Sequence, residues 1–191
     1  MSVKILAING SSRRDSLNQK LLRIAANGAA QVGAEVTFAH LADFGLPLYD
    51  GDLETDQGIP DGARNLQNLL AGHQGLLVAT PEYNGGYTAL LKNAIDWISR
   101  PRADGSSGVA LFAGKAAALI SASPGQMGGL RSQTGMRAVL DKLGMVVVPQ
   151  SFALGSAHEA FDGDDQLNDR QAARLVGEVG ASLFRTASRL S

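Results

Sequence analysis

The sequence predicts an α/β fold in which helices cover both faces of a five-stranded parallel sheet, forming a three-layer sandwich. Short apolar runs alternate along the chain with longer segments whose apolar residues recur at helical spacing. The runs are apolar on both faces, as strands are when helices cover a sheet from both sides. The 191 residues suffice for one buried core, and we expect a single domain over residues 1–191.

Five runs are predicted to be strands because each is short, apolar and bounded by polar or glycine-containing stretches. In chain order they are VKILAIN, EVTFAHL, GLLVAT, AAALISA and MVVVP, at residues 3–9, 35–41, 75–80, 116–122 and 145–149. Their separation by helical segments predicts parallel pairing, because parallel neighbours need a long crossover connection.

Helices are predicted between and after these strands, where apolar residues return every three or four positions. They cover residues 16–32, 60–71, 87–99, 129–143 and 167–189. In the third helix, the core face is formed by Leu91, Ala94, Ile95 and Ile98. Trp97 lies on another face and serves either as a packing residue under a loop or as an interface anchor. We favour the interface.

Composition and charge exclude several classes of function. The 17 Lys and Arg residues nearly balance the 18 Asp and Glu residues, so no net field attracts nucleic acid or a membrane surface. Cysteine is absent, which excludes thiol catalysis, disulfides and thiolate metal sites. No apolar run approaches the roughly 18 residues of a membrane span. We therefore expect a cytoplasmic protein that binds small molecules.

Ligands of such sheets bind beyond the carboxyl ends of the strands. Three polar, glycine-containing loops follow the first, third and fourth predicted strands, at residues 10–18, 81–86 and 123–129. Because the strands are expected to be parallel, the three loops should meet at one edge of the sheet. This edge is the predicted binding site.

The first loop, GSSRRDSLN, favours a phosphate site. Gly10 permits a tight turn, serine hydroxyls can donate hydrogen bonds, and Arg13 or Arg14 supplies a fixed cation. The helix that follows adds free backbone amides and the positive end of its dipole. A simple helix cap by Ser16 beside two solvated arginines explains the same residues equally well. The sequence motifs of a P-loop and of a dinucleotide-binding fingerprint are both absent.

The second and third loops suit a flat heteroaromatic ligand. TPEYNGG offers the aromatic Tyr83 and backbone amides in a chain opened by Gly85, although Tyr83 taken alone is typical of a surface aromatic. SASPGQMGG contains Gly128 and Gly129, which we expect to let the backbone approach a ligand closely. Pro-Gly after a strand by itself indicates only a turn.

Taken together, these loops resemble the NADPH-dependent FMN reductase family, the flavodoxin-like quinone, azo-dye and chromate reductases. The resemblance rests on GSSRRDSLN, PEYNGGYTALLKNAIDWISRP and SPGQMGGLRSQTGMRAVLDKLG, with LPLYDGDLE after the second strand. Their order and spacing match over residues 3–149. The resemblance implies a flavodoxin-like sheet in the order 2-1-3-4-5 and FMN bound without a covalent link.

The resemblance also implies which residues bind the cofactor. The phosphate would be held at the first loop by Ser11, Arg13, Ser16, Leu17 and Asn18. The isoalloxazine edge would be held at the second loop by Pro81, Glu82, Tyr83, Asn84 and Gly85, and Ser123 would close the site. No side chain is expected to act as a nucleophile or metal ligand, because the flavin supplies the chemistry.

The implied reaction passes a hydride from NADPH or NADH through FMN to a small acceptor such as a quinone, azo dye, chromate or free flavin. A homodimer or homotetramer is implied as well. Tyr87 departs from the family pattern, in which a small residue is often followed by Pro-Gly, and we expect it to reshape the entrance. Two other classes stay open: an electron-carrier flavodoxin, which the balanced charge disfavours, and a flavin-binding interaction protein without turnover.

Other candidate sites are weaker. The spacing of His40, His73 and His158 fits neither a metal site nor a catalytic triad, so surface or packing roles are expected. The acidic stretch at residues 50–61 lacks the glycine and the final glutamate of a calcium loop, and we expect a solvated loop there.

Overall fold

The computed structural model describes residues 2–191 and contains a five-stranded parallel sheet in the order β2-β1-β3-β6-β7. Counted within this sheet alone, the order is 2-1-3-4-5, which confirms the expectation from the resemblance. The sheet strands are β1 (Lys4–Asn9), β2 (Glu35–His40), β3 (Gly75–Ala79), β6 (Ala116–Ala122) and β7 (Val146–Leu154). A separate hairpin is formed by β4 (Glu82–Tyr83) and β5 (Gly86–Tyr87).

Helices cover both faces of the sheet, as the apolar pattern predicts. They are α1 (Leu17–Gln31), α2 (Gly51–Gln57), α3 (Asp61–Ala71), α4 (Ala89–Ile98), α5 (Leu130–Lys142) and α6 (Arg170–Leu190). α1 and α6 pack on one face, and α3, α4 and α5 pack on the other. No helix within residues 2–191 has the length and apolar character that a membrane crossing requires.

The central strands divide their side chains between two hydrophobic cores. In β6, Ala118 and Ile120 point toward α1 and α6, whereas Ala117 and Leu119 point toward the opposite core. All seven residues of β6 are buried because both faces are covered. Because helices cover both faces of the sheet, a binding site can form at the carboxyl edge, where the loops after the strands come together.

α1 and α6 approach each other so closely that glycine is required at the crossing. A Cβ atom built on Gly180 would lie 1.8 Å from the backbone oxygen of Ala25, and one on Gly28 would lie 2.1 Å from that of Gly177. Backbone atoms cannot give way as a flexible side chain can. The two helices are therefore in backbone contact at this point.

Three elements differ from the sequence expectation. The expected solvated loop at 50–61 contains α2, whose first turn is capped by the Asp50 carboxylate, which accepts from the N–H groups of Asp52 and Leu53. The second loop forms a hairpin where no strand was expected, and Tyr87, the first residue of the helix predicted at 87–99, lies in its second strand. β7 continues to Leu154, five residues past the predicted end at Pro149, because its later residues pair with β6.

The expectation that Trp97 anchors a subunit interface is wrong. Trp97 is fully buried within the chain, and its indole N–H donates to the Pro47 carbonyl at 2.8 Å. Its ring meets Tyr49 edge-on, with 5.1 Å between ring centroids. Asn93, one turn earlier in α4, donates to the same carbonyl and accepts from the Tyr49 N–H. Trp97 thus holds the LPLY segment against α4.

The α1–α6 crossing can be tested with two glycines of the same helix. We expect Gly180→Ala to lower the free energy of unfolding by about 1–3 kcal/mol, because the added methyl group must separate two backbones. Gly177→Ala is the matched control, since its Cβ would lie 3.8 Å from the Gly28 Cα atom. It should raise stability by up to about 1 kcal/mol through helix propensity. Urea denaturation measures both, and equal effects would contradict the proposed contact.

Candidate flavin site

The three loops meet in one cleft at the carboxyl edge of the sheet. It is lined by Ser11, Arg13, Ser16, Leu17, Asn18, Pro81, Glu82, Tyr83, Ala122, Ser123 and Pro124. Nine of the eleven residues singled out from the sequence are among these, whereas Asn84 and Gly85 lie outside the lining, at the hairpin tip. The cleft encloses about 70 Å³ and opens to solvent, so a ligand as large as a flavin must extend over its rim.

Asn9, at the end of β1, shapes the first loop from beneath. Its carboxamide oxygen accepts from the Ser11 N–H at 3.0 Å, and its nitrogen donates to Ser16 Oγ and Gln19 Oε1. The Ser11 hydroxyl in turn accepts from the Arg13 N–H at 3.3 Å. Sequence reasoning missed Asn9, although a polar residue that ends an apolar strand is a signal for such a role.

Ser16 combines the two alternatives that the sequence left open. Its Oγ caps α1 by accepting from the Gln19 N–H at 3.2 Å and also accepts from Asn9. With both acceptor positions used, the hydroxyl retains only its capacity to donate. The amides of Leu17 and Asn18 are in the first helical turn, where N–H groups have no helical acceptor. The loop therefore presents several donors and a helix N-terminus to one point.

The Asn18 side chain is occupied within the protein. Its amide nitrogen donates to the Ala122 carbonyl at 2.8 Å, and its oxygen accepts from the Ala122 N–H at 2.9 Å. This paired contact is buried and ties the start of α1 to the end of β6. Asn18 therefore keeps its backbone N–H and one N–H of its side-chain amide as further donors.

The second loop turns through Asn84 and Gly85, both of which have positive φ values of 52° and 83°. Tyr83 pairs with Gly86 across the turn, so the hairpin has a two-residue connection. Asn-Gly is the preferred sequence for such a turn because both residues tolerate the left-handed region. The hairpin projects from the end of β3 with Tyr83 about half exposed.

Glu82 caps a helix that is distant in sequence. α5 begins after Gly129, which has no side chain, and the Glu82 carboxylate accepts from the N–H groups of Arg131 and Ser132. The Arg131 guanidinium adds a bond from Nε at 2.7 Å. Burial by itself raises the pKa of Glu82, but these bonds and the Arg131 charge outweigh burial and hold the pKa below its usual value.

Buried hydroxyl groups tie the loops together. Thr88 donates from Oγ1 to the Gly10 carbonyl at 2.7 Å and caps α4 by accepting from the Leu91 N–H. Ser132 donates to the Pro81 carbonyl at 2.9 Å. Sequence reasoning missed both residues. A threonine directly before a helical pattern could have indicated Thr88, but nothing local indicates Ser132.

The third loop is held by the protein and not by a ligand. Gly128 and Gly129 have positive φ values and are buried, and Cβ atoms there would lie within 2.8 Å of Ala153 backbone atoms and of Ser121. The expectation that these glycines let a ligand approach is therefore wrong, since the approaching atoms belong to the chain. Ser123 lines the cleft, and its Oγ accepts from the Gly125 N–H.

Comparison with known proteins agrees with this geometry. The family model described as NADPH-dependent FMN reductase matches residues 3–159. The chain belongs to the NADPH-dependent FMN reductase family. This membership confirms FMN as the cofactor and reduced nicotinamide as the cosubstrate, and makes the protein an NAD(P)H-dependent oxidoreductase rather than a carrier.

Individual relatives of this reductase point the same way. It is 37% identical over 150 residues to a 2-hydroxy-1,4-benzoquinone reductase of Burkholderia, covering 78% of this chain and 76% of that one. It is 35% identical to an NAD(P)H-dependent FMN reductase of Pseudomonas aeruginosa, with 98% and 97% covered. The solved structure of the flavoenzyme FerB of Paracoccus denitrificans aligns with a TM-score of 0.82 at 29% identity, covering 98% of each chain.

The cap that Glu82 provides gives the reductase a pH-dependent contribution to stability. Because the folded-state pKa is lowered, the contribution is present above the unfolded pKa and disappears as the pH falls through the folded pKa. We expect Glu82→Gln to lower the free energy of unfolding by about 0.5–2 kcal/mol at neutral pH, in the range of lost helix caps.

The difference between Glu82→Gln and the parent should begin to shrink as the pH falls below the ordinary carboxyl pKa of about 4.3. It should disappear only below the lowered pKa of the folded state, where the parent carboxylate is also neutral. Urea unfolding across this pH range measures it. The exposed Glu35→Gln serves as the matched control and should change stability by less than about 0.5 kcal/mol. A difference for Glu82→Gln that is independent of pH would contradict the capping role.

Proposed function

We propose that the cleft holds FMN and that the enzyme uses it to pass a hydride from NADPH or NADH to quinones. The observation that carries the proposal is the gathering of nine residues from three loops into one cleft, with a donor-rich helix N-terminus at one end and an aromatic hairpin at the other. A planar ligand with a terminal phosphate matches both ends.

The phosphate is assigned to the start of α1. The Ser11 and Ser16 hydroxyls and the backbone N–H groups of Leu17 and Asn18 donate, and the Arg13 guanidinium supplies the charge. Within residues 2–191, Arg13 makes no ion pair, so its charge is available to a ligand. Because the Ser16 hydroxyl can only donate, it favours an acceptor such as a phosphate oxygen.

The ring is assigned to the hairpin edge of the cleft. Pro81, Glu82 and Tyr83 line this part of the cleft, and we place the ring edge against them. The turn at Asn84 and Gly85 would border the part of the ligand that extends beyond the cleft. Glu82 contributes through its backbone, since its carboxylate is engaged by α5. Ser123, from the third loop, lines the same cleft and would close the site.

FMN, when bound, supplies the two-electron chemistry. The protein side chains orient it and exclude water from one face, and we assign no catalytic side chain. The nicotinamide and the acceptor would use the same open face in turn, which gives a ping-pong sequence. Azo dyes, chromate and free flavin remain further candidate acceptors. Tyr87, expected from the sequence to reshape the entrance, is not among the residues that line the cleft, and its ring packs against Gly135 of α5.

We also propose a cytoplasmic homodimer or homotetramer. Leu48, Tyr83 and Met127 are 77%, 54% and 53% exposed, and a second copy of the chain packed against them would remove this apolar surface from water. Light scattering of the FMN-loaded protein at micromolar concentration tests the assembly, and a monomer would exclude it.

The proposed reaction has a direct test. The purified protein, reconstituted with FMN if necessary, should bind one flavin per subunit and show visible absorption bands that bleach on anaerobic addition of NADPH. Steady-state rates with 2-hydroxy-1,4-benzoquinone or benzoquinone should give parallel double-reciprocal lines. Bleaching without turnover would exclude quinone reduction, and intersecting lines would exclude the ping-pong order.

The phosphate assignment has its own test. Arg13→Ala should weaken FMN binding about ten- to a hundredfold, because a charge-assisted bond to a phosphate contributes about 1.5–3 kcal/mol. Riboflavin, which lacks the phosphate, should bind the variant and the parent almost equally by fluorescence quenching. Arg14→Ala is the matched comparison from the same loop and should have the smaller effect on FMN. If Arg14→Ala weakened FMN binding more than Arg13→Ala, the phosphate would have to be assigned to Arg14.

A further inference from the structure

A second cleft lies beside the proposed flavin cleft, on the other side of the first loop. It encloses about 290 Å³ between that loop, α1 and the segment that follows β2. Ser11 and Arg13 line both clefts, so the two are separated only by the loop itself. Residues that the FMN assignment does not use line the rest, including Ser12, Arg14, Arg23 and His40.

The second cleft concentrates positive charge in a chain whose net charge is -1. Arg13, Arg14 and Arg23 contribute three guanidinium groups, and Asp43 is the one carboxylate among the lining residues. Arg14 makes no ion pair within residues 2–191.

Arg23 is only weakly neutralised. It lies 3.8 Å from Asp165, whose carboxylate is held more closely by Lys20 at 2.6 Å. Gathered guanidinium groups repel one another, and an anion placed between them removes that repulsion. The group that best matches their geometry is a phosphate, which accepts paired hydrogen bonds from a guanidinium fork.

The position of the cleft indicates which phosphate. An extended dinucleotide with its nicotinamide over the flavin ring near the hairpin would carry its adenosine half away from the ring. The second cleft adjoins the proposed phosphate end of the flavin cleft, because Ser11 and Arg13 line both clefts. NADPH and NADH differ only by the 2′-phosphate of that adenosine half.

We infer that the second cleft binds the 2′-phosphate of NADPH through Arg14 and Arg23 and thereby makes the enzyme prefer NADPH over NADH. The inference rests on the proposed function, because the FMN position defines where the dinucleotide runs. Ser12 and His40 add side-chain groups that can donate hydrogen bonds without a further fixed charge. The carboxylate of Asp43 repels the 2′-phosphate and so reduces the preference for NADPH over NADH.

The test compares kcat/KM for NADPH with kcat/KM for NADH, using benzoquinone as the acceptor. The ratio should fall about tenfold in Arg14→Ala and in Arg23→Ala, since the groups are exposed and partly screened. Asp43→Asn should raise the ratio, in contrast to the arginine variants, because it removes a negative charge from the cleft. Arg174→Ala, an exposed arginine on α6 that is not among the lining residues, is the matched control and should leave the ratio within about twofold of the parent.

A binding measurement provides the second readout. Adenosine 2′,5′-bisphosphate should bind the FMN-loaded parent by calorimetry, and its affinity should fall at least about tenfold in Arg14→Ala. Adenosine 5′-monophosphate, which lacks the 2′-phosphate, should lose no more than about threefold.

The two proposals fail in different ways. A parent protein that binds no FMN, or oxidises neither nucleotide, refutes the proposed function. A parent that binds FMN and oxidises both nucleotides, with a ratio that Arg14→Ala and Arg23→Ala leave unchanged, overturns only the inference about the second cleft. Equal losses for NADPH and NADH would likewise overturn it, because they would indicate general attraction of anions and not recognition of the 2′-phosphate.

Discussion

The site depends on one requirement: polar side chains buried at the carboxyl edge of the sheet must all find hydrogen-bond partners. Within residues 2–191, eight of the eleven buried polar residues lie there, namely Asn9, Ser16, Asn18, Thr80, Thr88, Ser121, Ser132 and Gln133. An unpaired buried polar group costs about 1–3 kcal/mol, so each pairing restricts the loops to few conformations. Thr88 binds the first loop to α4, and Ser132 binds the second loop to α5. The loops that line the cleft are therefore held in place by hydrogen bonds within the protein.

This requirement changes how the site residues are understood. Asn18 and Glu82 are polar residues that the sequence predicts to bind the cofactor. Both side chains instead form hydrogen bonds within the protein. With these two side chains engaged, the donors proposed for the ligand are backbone N–H groups, the Ser11 and Ser16 hydroxyls and the Arg13 guanidinium. Backbone donors are rigid, so they need little rearrangement when a phosphate or a ring binds. Preorganised donors of this kind suit an enzyme in which the cofactor supplies the chemistry.

The same packing that covers the sheet positions the loops. Small residues in β6 and glycines at the α1–α6 crossing bring the helices close, which sets the start of α1 against the ends of β1 and β6. On the other face, Trp97 binds the Pro47 carbonyl and keeps the segment after β2 against α4. Arg100 lies over the Tyr49 ring and pairs with Glu54, which fixes the same segment further. Cofactor loops and neighbouring segments are thus held by the two cores.

The sequence by itself determined the layers, the strand order by resemblance, and nine of the residues that line the cleft. The layers follow from local patterns, because burial on two faces produces apolar runs, whereas the strand order and the nine cleft residues come from the resemblance of the loops to a known family. Only the tertiary structure decided that Glu82 caps α5, that Asn18 clamps Ala122, and that Trp97 is buried against Pro47. Asn18 and Ala122 are 104 positions apart. Such pairings depend on which distant segments are in contact in the folded chain. The periodicity and spacing of residues along the sequence do not specify these contacts.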